Sequence, residues 1–167
     1  MNIKQIKSGD ILLVSSKGLI PKIIQKVQKC KYNHAGLLLT INKKVYVIEA
    51  TEKGIVLTLL SHYTDNSDKY ELLVLKPKVI PINSIIDIAL SRLGTPYEFS
   101  NLVVHQLAKY IFGKWIGRKK KEASDKFICG EFVAWCWWKA TNTSLFYNWY
   151  KIAPVDIYKS DKFTHHE

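Results

Sequence analysis

The sequence predicts an α+β arrangement: a short helix, a run of antiparallel strands, then helices. Three observations lead there. Between residues 34 and 76, four segments rich in β-branched residues, Leu and Tyr follow one another with short polar connections. Past Pro81 the apolar residues recur at helical spacing. The apolar run "FICGEFVAWCW", residues 127–137, reads as a last helix buried in the core.

Taken in order, "GDILLV" is a short strand after a Gly-Asp turn. Residues 19–29 carry Leu19, Ile20, Ile23, Ile24 and Val27 as a helical stripe, with Pro21 tolerated in the first turn. The strands follow as "HAGLLLTI", "VYVIEA", "GIVLTLL" and, after a polar loop, "YELLVLK". Ile82, Ile85, Ile86, Ala89, Leu90 and Leu93 then share one helical face, and Gly94 stops that helix. A further helix is expected over residues 98–116 and a basic loop over "GRKKKEASDK". The last helix runs from about residue 128 to 140.

A chain of 167 residues favours one domain, residues 1–167, able to bury roughly 70% of its unfolded surface. No internal repeat, low-complexity tract or Gly/Ser linker divides it. With 47% hydrophobic and 23% charged residues the composition is globular and not disordered. The net charge of +11 calls for an anionic partner: nucleic acid, phospholipid head groups or cell-wall polymer. Nucleic acid is disfavoured, because the aromatic residues cluster in core helices and are not interleaved with the basic run. "MNIKQIKSGD" has no apolar signal region, and three widely spaced cysteines make no disulfide framework. Both point to a reducing, cytoplasmic setting. The longest apolar segment, residues 99–116, is broken by His105, Gln106, Lys109 and Lys114, so it does not read as a membrane span.

Two of the three cysteines fall in "FICGEFVAWCW". Cys129 sits in the first turn of its helix, where unpaired N–H groups and the helix dipole favour a thiolate. The competing reading is that cysteine is simply a small core residue. Cys136, two turns on beside Phe132, Val133 and Ala140, fits that reading well. Cys30 ends a basic helix and lacks the helix-start environment.

A thiolate nucleophile needs a base, and the base needs an orienting group. His165 and His166 lie in a tail expected to fray, while His62 and His105 read as surface or partly packed. His34 opens an apolar strand, and Glu49 is a carboxylate inside "VIEA", where a buried charge requires a partner. A two-residue loop at Asn42-Lys43 would pair Ile41 with Lys44 and set Glu49 opposite Gly36. That puts it on the face of His34 as a diagonal neighbour. A three-residue loop would put the two on opposite faces. Metal binding competes weakly, since Cys30, His34, His62 and His105 show no paired-ligand spacing. No phosphate loop or dinucleotide fingerprint is present, and neither a metal nor a cofactor is expected.

The set "GDILLV", "NHAGLLL", "VIEATEKGI", "GTPYEF" and "FICGEFVAW", in this order, resembles the permuted branch of NlpC-type papain-like cysteine hydrolases, the YiiX-like proteins. The resemblance implies a small antiparallel, barrel-like sheet against helices. It implies Cys129 as nucleophile, His34 as general base and Glu49 as the group that orients the imidazole. Tyr97 would line the pocket. Gly130 stands where relatives often carry serine, and would leave room for substrate. The expected activity is hydrolysis of an amide bond (peptide, cell-wall peptide or acyl amide) through a thioester. An acyl hydrolase or acyltransferase acting on lipid esters at an anionic membrane is the alternative, and a catalytically silent lipid-binding module the rival from another class. Arg118, Lys119, Lys120 and Lys121 are expected at the surface, beside the amphipathic segment 99–116.

Overall fold

A computed structural model describes residues 3–78, 82–96, 127–141 and 148–166. Six strands make one antiparallel sheet in the order β4-β3-β2-β1-β5-β6: β1 (Ile11–Ser16), β2 (His34–Ile41), β3 (Lys44–Thr51), β4 (Gly54–Leu59), β5 (Tyr70–Pro77) and β6 (Phe163–His166). The sheet is open, with β4 and β6 at its edges. Helix α1 (Leu19–Gln28) joins β1 to β2, and the short α2 (Ser61–Thr64) joins β4 to β5. Beyond the sheet come α3 (Ile82–Leu90), α4 (Cys129–Thr141) and α5 (Pro154–Tyr158). The expected helix at 98–116 and the basic loop lie outside the described residues.

Strand alternation divides the apolar residues between two cores. Ile11, Leu13, Ala35, Leu37, Ile48, Ala50 and Leu75 face α3 and α4. Leu12, Val14, Leu38, Val45, Val47 and Val74 face the other way and pack with Ile6, Leu60 and Tyr63. α4 is buried from Cys129 to Trp137, a stretch apolar on nearly every side, with Glu131 its one charged residue. Trp135 packs at 5.1 Å on Phe127, and Trp137 meets the edge of Phe163 at 5.6 Å.

Two local features depart from expectation. Residues His165 and His166 are not a frayed tail: they pair with Leu75 and Val74 in β6, and the His165 ring stacks on Tyr158 at 5.1 Å. Their ladder to β5 and the buried Phe163 hold the strand down. The segment read as a polar loop after β4 contains α2, whose Tyr63 turns into the second core.

Candidate active site

The β2–β3 hairpin positions two of the candidate residues. Asn42 and Lys43 both have positive φ, 49° and 62°, the mirror-image turn whose twist suits a two-residue hairpin. Ile41 therefore pairs with Lys44, and Gly36 with Glu49. Gly36 is required there. A Cβ at position 36 would stand 2.5 Å from Val47 Cγ1 and 3.2 Å from Glu49 Cβ. The space above it is left for the diagonal contact: His34 Nε2 lies 2.5 Å from Glu49 Oε2.

Glu49 is 1% exposed and does not depend on His34 alone. The buried Tyr63 donates its hydroxyl to the same Oε2 at 2.6 Å, and Thr58 of β4 lines a cavity with both. Burial pushes the carboxyl up, but hydrogen bonding and charge from His34, then Thr58 and Tyr63, outweigh it and hold Glu49 below the usual carboxylate range.

Two groups raise His34. Burial pulls the imidazole down, yet hydrogen bonds and charge from Cys129 and then Glu49 outweigh it and push it up to about 10. With Nε2 engaged by Glu49, Nδ1 is the ring nitrogen left for the thiol. Cys129 is a free cysteine, the first residue of α4; Phe132 N–H bonds Ile128 O at 2.9 Å to close the first turn. His34, the first residue of β2, contacts Glu49 of β3, and Cys129 opens the helix α4 that packs against both strands. A cavity of about 610 Å³ opens on His34 and Glu49, walled also by Ser16, Thr58, Tyr63 and Tyr70.

Residues 5–149 match the family described as "Permuted papain-like amidase enzyme, YaeF/YiiX, C92 family". The chain belongs to this family. As a permuted papain-like amidase it is a cysteine hydrolase whose substrate contains an amide. Among solved structures, the chain is similar to one described as metalloprotein yiiX from Escherichia coli O157:H7, with TM-score 0.73 and 19% identity. That likeness covers 98% of this chain and 97% of that one, and at this identity it speaks to the fold. No curated protein sequence matches. The word metalloprotein belongs to that relative: among the described residues here, no group of three or more His, Cys, Asp or Glu could hold a metal.

The other cysteines of this C92-family chain stand apart from the trio. Burial pushes the Cys136 thiol well above the usual range, and its side chain is packed in the helix-side core. Cys30 is half-buried at the rim of that core. Tyr97 lies outside the described residues. Gly130 needs a different account from the expected one. A Cβ there would stand 2.6 Å from Ile152 O and 3.0 Å from Ala153 Cα, so its missing side chain is filled by this chain's own backbone and leaves no room for a substrate. Gly130→Ser should destabilise the protein by about 1–3 kcal/mol through overpacking, read as a lower midpoint of urea unfolding.

Sequence reasoning missed Tyr63. In "SHYTDNSDK" it looks like one more polar-loop residue, and its only signal was a large aromatic among small polar neighbours. Tyr63→Phe removes one donor from a buried carboxylate. Stability should fall by about 2 kcal/mol, and kcat by about tenfold, with KM nearly unchanged. Parallel denaturation and steady-state kinetics check both.

Proposed function

We propose that the protein hydrolyses an amide bond with Cys129 as nucleophile, His34 as general acid and base, and Glu49 as the carboxylate that orients and charges His34. The observation that carries this reading is the buried His34–Glu49 contact at 2.5 Å, with Cys129 the other group that raises His34. His34 keeps its proton at neutral pH, and the reaction pairs this imidazolium with Cys129 as the attacking thiolate.

Cys129 Sγ attacks the substrate carbonyl, and the carbonyl electron pair moves to oxygen. The Cys129 backbone N–H, at the start of α4, is the donor that would hold this oxyanion. As the C–N bond breaks, the imidazolium proton passes to the leaving nitrogen, releasing an amine and leaving a thioester. Neutral His34 then takes a proton from water, and the hydroxide adds to the thioester. The C–S bond breaks, the acid departs and the thiolate–imidazolium pair is restored. Glu49 stays ionised throughout, holding Nε2–H and stabilising the charge on the ring. Tyr63 holds Glu49 in place.

The same chemistry would cleave an acyl ester. The decisive experiment is covalent capture with two acyl probes, one a peptide amide and one a lipid ester, followed by mass spectrometry of each cysteine. Adduct on Cys129 with the amide probe is expected, and Cys136 should stay unmodified. No adduct on Cys129 with either probe would sink the reading. Faster capture by the ester would move the substrate to lipid acyl groups.

A further inference from the structure

Helix α1 is built inside out. At 100° per residue, Leu19, Ile20, Ile23, Ile24 and Val27 fall on one arc, with Gln25 and Gln28 on the other side. An apolar arc ordinarily packs on the core. Here Leu19, Ile20 and Ile23 are 83%, 57% and 52% exposed, while Gln28 is only 4% exposed. The polar side is tied down. Gln25 Nε2 donates to Ser16 O and to Asn33 Oδ1, each at 3.2 Å, and Asn33 Oδ1 also accepts from Ser16 N at 2.7 Å. Rolling the helix to bury its apolar arc would break these bonds, so the outward face is a stable feature of the fold.

The rim of that face is cationic. Lys17, Lys22, Lys26 and Lys29 are all exposed, and α1 contains no acidic residue. An apolar strip flanked by lysines is the chemistry of a helix that lies in the head-group region of an anionic bilayer. A second copy of the chain fits less well, because a two-fold contact through α1 would bring lysines towards lysines with no carboxylate from the helix to pair them. Among the described residues no helix is long and apolar enough to cross a membrane, which leaves lying in the surface as the mode open to α1.

The position of α1 connects this face to the site. Ser16, three residues before the helix, walls the cavity shared by His34 and Glu49, and Asn33, which holds Gln25, precedes His34. We propose that α1 docks the protein on an anionic lipid surface, so that the cavity receives amide substrates presented at that surface. The docking stands on α1 alone; the substrate clause rests on the proposed function.

The test is flotation with vesicles of phosphatidylcholine, with and without phosphatidylglycerol. It compares the wild type with Leu19→Ser/Ile20→Ser/Ile23→Ser and with Lys22→Gln/Lys26→Gln/Lys29→Gln. All six positions are exposed, and circular dichroism should show the wild-type fold in both variants. The wild type should bind vesicles containing phosphatidylglycerol. The serine variant should bind at least about tenfold more weakly. The glutamine variant should lose roughly fivefold per charge, together with much of the salt dependence. Cys129→Ser should float like the wild type, which separates docking from catalysis. The serine variant should also cleave a soluble acyl amide at the wild-type rate, while cleaving a vesicle-anchored one about tenfold more slowly. Undiminished flotation of the serine variant would overturn the proposal. So would a concentration-dependent dimer that the serine variant abolishes without any change in lipid binding.

Discussion

Cys129→Ser should lower amide hydrolysis by about 10⁴-fold or more, while the fold persists. The swap is close to isosteric at a buried helix start, so packing changes little. Its chemistry changes completely. A serine hydroxyl does not ionise near neutral pH, so no charge forms opposite His34. The imidazole then loses the hydrogen bond and charge that Cys129 supplies, and its titration should move down from about 10. Steady-state kinetics reads the first effect, and an NMR titration of His34 reads the second. Full activity in this variant, or an unmoved His34 titration, would remove Cys129 from the reaction.

Glu49→Gln should have the next largest effect, on stability and rate together. Glu49 is almost wholly buried and accepts from His34 and Tyr63; a neutral amide carries no charge to set against the imidazolium, which it leaves poorly compensated. Removing one partner of such a pair costs about 3–5 kcal/mol. The loss in kcat should be about 10²–10⁴-fold. The pH dependence has a defined sign. His34 is raised from 6.5 to about 10, so its contribution to wild-type stability is complete below about 6.5 and is lost as pH rises through about 10. Glu49 is lowered from 4.5, so its contribution is present above about 4.5 and is lost as pH falls through its depressed value. In Glu49→Gln both slopes should flatten, and the alkaline fall in kcat/KM should shift to lower pH as His34 loses its carboxylate. Urea unfolding across pH 4 to 10 measures the slopes. Identical profiles in wild type and variant would mean that the two side chains do not share a proton balance.

Much of this site was legible because its signals are local. Glu49 breaks the apolar pattern of β3, and a carboxylate buried in a strand implies a partner. His34 opens β2 at an alternation that fixes its face relative to Gly36, and Cys129 stands in the first turn of a largely apolar helix. The strands β1 to β5 were readable for the same reason: hydrophobic alternation and turn chemistry act over a few residues, and the packed fold agrees with them.

What depended on tertiary structure is whatever two distant segments settle between them. Whether His34 and Glu49 share a face turned on the loop between β2 and β3, decided by positive φ at Asn42 and Lys43. Lys43 does not advertise such a conformation. Tyr63 joined Glu49 only because α2 folds back over β3, and β6 exists only because β5 offers it an edge. Gly130 answers to the backbone of Ile152 and Ala153, more than twenty residues further along the chain. The apolar stripe of α1 was plain in the sequence, but its direction was not. Periodicity records that a helix has two unlike faces, while the hydrogen bonds from Gln25 to Ser16 and Asn33 determine which of them meets solvent.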